Sequence, residues 1–266
     1  MRRKMRTGLF EFDQIRTKGK EAEAFKQFFG NKILRLVELK ENGFLIPKSF
    51  VLFLSVGEPE TRLKKLWRSD LLRLQWENGG IARSSAPDED SKNTFAGVYE
   101  SCVFHWNEED FIKAVSTVLA SYQSGRALKY KEKSDLPLEE ATKYAVLVQE
   151  YIVPQCSGVI YTYDPIHQND NCVIESVWGE NTGITGGQVI PDLVIYDQKQ
   201  GEYVMKEKGN GGQEEFSMDT GQVIELVRQA KKLEQLLGAP QDIEWAYQAG
   251  ELYILQSRDI RMKNNY

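Results

Sequence analysis

The residues of this chain best suited to chemistry gather near its carboxy-terminal end. Asp242, Glu244, Gln256 and Arg258 stand on two short segments that read as a hairpin, Asp242 to Tyr247 and Leu252 to Arg258. The turn Gln248-Ala249-Gly250-Glu251 decides which side chains share a face, because strand side chains alternate with a period of two. A two-residue loop at Ala249-Gly250 sets Glu244 away from Gln256 and mixes apolar with charged groups. A three-residue loop centred on Gly250 sorts Ile243, Trp245, Tyr247, Tyr253 and Leu255 onto one face and Asp242, Glu244, Gln256 and Arg258 onto the other, and is the register expected. Glu244 then lies opposite Gln256, two oxygen donors able to hold one hard cation, with Arg258 beside them. Magnesium suits such a pair, since it takes few protein oxygens and completes its octahedron with phosphate and water. Taken alone, the hairpin favours a plainer reading: an exposed strand end with Asp242 and Arg258 as a surface ion pair of small consequence.

The elements that must position these residues can be sketched from periodicity. At 266 residues the chain can bury a sizeable core, as one large domain or, preferably, two lobes around a cleft. Helical spacing marks Ala22 to Phe29 and Ile33 to Asn42, with Gly30-Asn31-Lys32 between them and Gly43 closing the second. A strand over Phe50 to Leu54 and a helix over Thr61 to Trp76 follow, and Ile81-Ala82 begins something extended. Residues 81 to 101 are rich in turn formers and hydroxyls around Phe95, and Asn107 caps a helix with Phe111, Val115, Val118, Leu119 and Tyr122 on one stripe. The second half reads as strands over Ala145 to Ile152, Gly158 to Tyr163, Cys172 to Trp178, Val189 to Tyr196 and Glu202 to Lys206. Asp219 or Thr220 then caps a helix stopped by Gly238 and Pro240. The lobe boundary is expected near Gln149 to Pro154, giving lobes over 1–150 and 151–266.

Composition excludes several classes. A net charge of -5 gives no strong attraction for nucleic acid. The basic start, Met1 to Arg6, runs into Phe10-Glu11-Phe12-Asp13 without the apolar stretch of a signal peptide, and no segment approaches membrane-spanning length, so a cytoplasmic protein is expected. Cys102, Cys156 and Cys172 lack metal-site spacing and read as structural thiols, and His105 and His167 lie far apart in sequence.

Three separated stretches resemble the amino-terminal nucleotide-binding domain of phosphoenolpyruvate synthase, pyruvate phosphate dikinase and rifampicin phosphotransferase. The first is Gly30-Asn31-Lys32 with Leu36, Leu39, Gly43-Phe44, Pro47 and Phe50-Val51-Leu52. The second is Arg83-Ser84-Ser85-Ala86, Glu89-Asp90, Phe95-Ala96-Gly97 and Glu100-Ser101. The third runs through Val148-Gln149, Ser157-Gly158-Val159, Thr162, Pro165, Trp178-Gly179, Pro191-Asp192, Pro240 to Ala246 and Gln256-Ser257-Arg258, and Arg126 to Lys131 looks like a further family element.

The resemblance implies an α+β, ATP-grasp fold, two lobes with the nucleotide in the cleft, and ATP with Mg2+ as cofactors. It implies Lys32 and Arg83 on the nucleotide phosphates, with Arg83 the best candidate for stabilising charge on the transferring group, and Ser101 near the phosphates. A planar, permanently charged guanidinium suits phosphoryl transfer, which asks mainly for positioning and for cations where oxygen charge develops. It implies Gln149, Glu150 and Ile152 at the adenine, Glu244 and Gln256 on the metal, and Arg258 on the phosphates. The expected activity is that of a kinase-like phosphotransferase module serving a separate acceptor, a histidine carrier protein or a small molecule. A non-catalytic nucleotide-binding subunit and an excised domain of a longer enzyme are the alternatives. Departures from the family pattern are Trp178-Gly179-Glu180-Asn181 in place of tryptophan-glycine-leucine-glycine, Arg258-Asp259 in place of arginine-proline, and a short stretch between Leu54 and Ile81. Neither histidine resembles the phosphorylated histidine of the carrier domain that follows in the multidomain relatives.

Overall fold

The computed structural model describes residues 7–19, 22–71, 74–85, 100–124, 143–181, 189–210 and 213–260. Two compact units result, one of Met1–Glu38 with Pro47–Tyr151, the other of Leu39–Ile46 with Ile152–Tyr266. Each is built on its own antiparallel sheet, and the α+β class expected from the sequence is the one found.

The first unit carries a five-stranded sheet of β1 (Gly8–Glu11), β2 (Ser49–Ser55), β3 (Gly80–Ser85), β4 (Ser101–Phe104) and β5 (Lys143–Glu150), in the order β1-β2-β5-β3-β4. Its interior strand β2 reads as an unbroken apolar run because both of its faces are covered. Phe50, Leu52 and Leu54 pack into a cluster with Leu63 and Trp67 of the α2 region (helix Glu60–Leu66) and Phe111, Val115, Val118 and Tyr122 of the α3 region (helix Glu108–Ser121). On the opposite face Phe53 meets the rings of Phe28 and Phe29 from α1 (Ala22–Glu41). The break expected at Gly30-Asn31-Lys32 is there: Gly30 has φ 74 and ψ 170, a region essentially closed to other residues.

The helix expected to reach Trp76 stops earlier. α2 passes into a π-helical turn over Trp67–Leu71, and Gln75 has a positive φ of 45, which no helix continues through. That break lets Trp76 turn into the core, where its ring meets those of Phe50 and Trp106. Asn107 caps α3 as expected, its side chain accepting from the Asp110 N–H.

The second unit holds a six-stranded sheet, in the order β11-β10-β6-β7-β8-β9. Its strands are β6 (Cys156–Tyr161), β7 (Cys172–Trp178), β8 (Asp192–Asp197), β9 (Glu202–Glu207), β10 (Gln241–Gln248) and β11 (Glu251–Asp259). Helix α4 (Thr220–Leu237) is set by a capping box between Asp219 and Gln222 and by left-handed Gly238. It buries Val223, Leu226, Val227, Ala230 and Leu233, and Tyr247 of β10 donates to the Gln222 carbonyl, so one sheet face is committed to α4. Buried Asp192 on β8 accepts from Lys208 Nζ and from the N–H groups of Gly209 and Ser217. Cys156 and Cys172 are buried, and burial pushes both thiols up to about 12, which leaves them core residues rather than nucleophiles. Among the described residues no helix is long and apolar enough to cross a membrane.

Candidate functional site

The carboxy-terminal hairpin corrects one sequence expectation and keeps its outcome. The turn has two residues: Gln248 pairs with Glu251, and Ala249 (φ 52) and Gly250 (φ 79) are both left-handed, as a type I′ turn requires. With that turn alone, Glu244 and Gln256 fall on opposite faces. The structure restores them by a β-bulge: Trp245 pairs with Ile254 but Glu244 pairs with Gln256, so Leu255 is the extra residue. On the turn side of the bulge the apolar face therefore takes Leu252 and Ile254, both buried, in place of the expected Tyr253 and Leu255. Beyond the bulge, Asp242 faces Arg258 and Glu244 faces Gln256 on the side away from α4, as expected. A non-glycine residue held left-handed carries a penalty of about 1–2 kcal/mol, which asparagine bears better than alanine. Ala249→Asn is thus expected to raise stability by roughly 1 kcal/mol in urea denaturation; an unchanged or lower midpoint would contradict the turn assignment.

The register across the sheet extends this polar face. Asp242 pairs with Tyr161, Glu244 with Val159, and Val159 in turn with Glu175 on β7, which places Glu175 on the Glu244 face two strands away. Arg258 Nη2 lies 3.3 Å from Asp242 Oδ2 and 3.7 Å from Glu244 Oε1. Burial raises the Asp242 carboxyl above its ordinary range, Arg258 opposes that shift, and Glu244 and Glu175 add to it. Tyr161 is pushed up to about 12, first by burial and then by Asp242 and Glu175. Asp242 and Glu175 are carboxylates of this face that the sequence reading left out of the metal set. Asp242 was visible there as a partner of Arg258, whereas Glu175 joins only through the strand order β10-β6-β7. Among the described residues no three His, Cys, Asp or Glu side chains gather as a metal cage. One carboxylate facing one amide carbonyl is the donor set that suits a magnesium ion completed by phosphate and water, so these residues fit that ion.

In the first unit, Arg83 on β3 lies directly opposite Ser101 on β4, with Leu147 on its other side. Ile81 pairs with Gln149, so Arg83, Ser101 and Gln149 share one sheet face, the face that also carries Phe53 beneath α1. Lys32 Nζ donates to the Ser84 carbonyl at 3.1 Å, and Ser85 Oγ donates to the Phe29 carbonyl, so the turn at Gly30 is stitched to the strand that holds Arg83. Gln149 is buried, its amide donating to Ser49 Oγ at 3.1 Å. Glu150 pairs with Gly80 on the opposite face and lies 3.4 Å from Lys48 Nζ, while Ile152 is buried in the second unit. The sequence elements Ala86, Glu89-Asp90, Phe95-Ala96-Gly97 and Arg126 to Lys131 lie outside the described residues.

Comparison with known proteins gives three kinds of likeness. Among solved structures, an ADP complex of N5-carboxyaminoimidazole ribonucleotide synthetase is 9% identical, with a TM-score of 0.44 over 92% of this chain and 48% of that one. Among curated proteins, the uncharacterized phosphotransferase YvkC of Bacillus subtilis is 27% identical over 91% of this chain and 34% of its own length. A probable phosphoenolpyruvate synthase of Pyrococcus horikoshii is 32% identical over 84% of this chain and 31% of its own length. The chain thus spans about a third of the length of these curated relatives. The model of the family described as pyruvate phosphate dikinase, AMP/ATP-binding domain, matches residues 73–266, most of the chain and all of the hairpin. By that match the chain belongs to the family of the pyruvate phosphate dikinase AMP/ATP-binding domain.

Proposed function

We propose that the chain binds Mg-ATP and passes a phosphate to a separate acceptor, either a histidine-bearing carrier protein or a small molecule. The observation that carries this reading is the hairpin face, where Glu244 opposes Gln256 and Arg258 reaches toward Glu244, in a chain of an AMP/ATP-binding family. Magnesium held at Glu244 and Gln256 would supply a positive charge to the phosphate oxygens. Arg258 and, from the first unit, Lys32 and Arg83 supply further cations to phosphate, and Arg83, being planar and permanently charged, is suited to the group in transfer. Ser101, directly opposite Arg83, offers a hydroxyl to the same phosphates. Because the Gln149 amide is buried and engaged with Ser49, adenine recognition falls chiefly to the backbone of Gln149, Glu150 and Ile152.

Calorimetric titration with ATP tests the binding half. Affinity is expected to fall roughly tenfold or more, about 1.4 kcal/mol, when magnesium is withheld or when Glu244→Ala is used. Equal affinity under all three conditions would sink the reading. Radiolabelled ATP offered with a histidine-bearing carrier protein or with hydroxyl compounds then separates the two acceptor classes, since a phosphohistidine is acid-labile and a phosphate ester is acid-stable.

A further inference from the structure

Arg258 pairs with two carboxylates, one of which, Glu244, belongs to the proposed metal pair. Its Nη2 stands between two carboxylates, 3.3 Å from Asp242 Oδ2 and 3.7 Å from Glu244 Oε1. The side chains of Asp242 and Glu244 are only 22% and 24% exposed, that of Arg258 is 41% exposed, and Glu175 adds a third negative charge to the same face. Partly buried carboxylates need a countercharge, and a guanidinium tethered on the facing strand supplies one permanently. Asp242 is the direct cross-strand partner of Arg258, whereas Glu244 is one pair further along, on the diagonal, and makes the longer contact.

We propose, on the footing of the function proposed above, that Arg258 is an internal stand-in cation. Without nucleotide it neutralises Glu244 and competes with divalent ions for that carboxylate. When phosphate arrives, Arg258 turns from Glu244 toward the phosphate oxygens and stays anchored by Asp242. Glu244 is thereby released for the ion that accompanies the nucleotide. The consequence is a linkage: ion and nucleotide each raise the other's affinity by the same factor, and an ion alone binds weakly.

Mn2+ serves as the probe, with free ion measured by electron paramagnetic resonance during titration of the full chain, with and without a non-hydrolysable ATP analogue. Arg258→Gln is expected to tighten binding of Mn2+ alone by roughly tenfold and to shrink the gain in Mn2+ affinity that the analogue brings. Arg258→Lys, which keeps the charge, is expected to stay near the wild type for Mn2+ alone. An Arg258→Gln chain with Mn2+ affinity unchanged or weaker would overturn the stand-in role while leaving the function proposal in place, provided Glu244→Gln still weakens Mn2+ binding. Should Glu244→Gln bind Mn2+ as the wild type does, both with and without the analogue, the metal assignment itself fails and the stand-in role fails with it.

Discussion

Replacing Arg83 by alanine is expected to lower phosphate transfer from ATP by about 10²- to 10³-fold while weakening nucleotide binding far less. The asymmetry follows from the role proposed: a cation placed where oxygen charge develops does most of its work in the transition state, and interactions made only there appear in the rate. The scaffold argues that the loss will be local. Arg83 sits between Leu147 and Ser101 in a paired strand whose other face is core, so the backbone ladder survives truncation of this partly buried side chain. Comparing single-turnover ATP consumption with calorimetric affinity, with Ser101→Ala from the facing strand as a milder control, measures the split. Equal losses in both quantities would assign Arg83 to binding alone, and no loss in either would remove it from the site.

Gly158→Ala carries the largest expected effect on folding. Gly158 lies in mid-strand on β6, paired with Trp245 on one side and Ser176 on the other. A methyl group there would come within 1.9 Å of the Glu175 carbonyl oxygen and 2.9 Å of the Ser176 Cα, both backbone atoms held in a ladder. Relief requires parting β6 from β7, at a cost of about 3 kcal/mol or more. Because β6 also pairs with β10, the strain reaches the hairpin, and binding of Mn2+ with nucleotide is expected to fall along with stability. Urea denaturation reads the first effect and the resonance titration the second. A variant within about 0.5 kcal/mol of the wild type would show that the sheet is more pliable than this packing allows.

The parts of the fold legible in the sequence are those fixed by local signals. Asn107, Gly238 and the break at Gly30 announce themselves by residue type, the cap of α4 was readable as Asp219 or Thr220, and β7 over Cys172–Trp178 was readable from its density of β-branched and aromatic residues. Strand β1 was not: four residues, Gly8–Glu11, offer too short a pattern, and its pairing with β2 is decided far along the chain. The helix drawn through to Trp76 was over-extended because periodicity cannot register the left-handed Gln75. At the hairpin the partnership of Glu244 and Gln256 was legible from the sorting of polar and apolar residues, yet the reason assigned to it was wrong. The turn followed its own preference for two left-handed residues, and the ladder absorbed the mismatch further along. The position of Glu175 depends on which strands are neighbours, which no local pattern encodes.

The extra residue at Leu255 acts as a phase shifter between two ends of one strand. Toward the turn, the even-numbered Leu252 and Ile254 face α4; past Leu255, it is the odd-numbered Ser257 that takes that face, bonded to Gln241, and Gln256, itself buried, and Arg258 lie on the other. Drawing that one residue into the ladder would rotate the outer end by half a period, setting Gln256 opposite Ile243 and driving a guanidinium toward α4, with every turn contact intact. The hairpin can therefore exchange its turn for one of different length only if the count at the bulge changes with it. Turn and bulge together form one parity: at the present spacing of Glu244 from Gln256, neither can change alone.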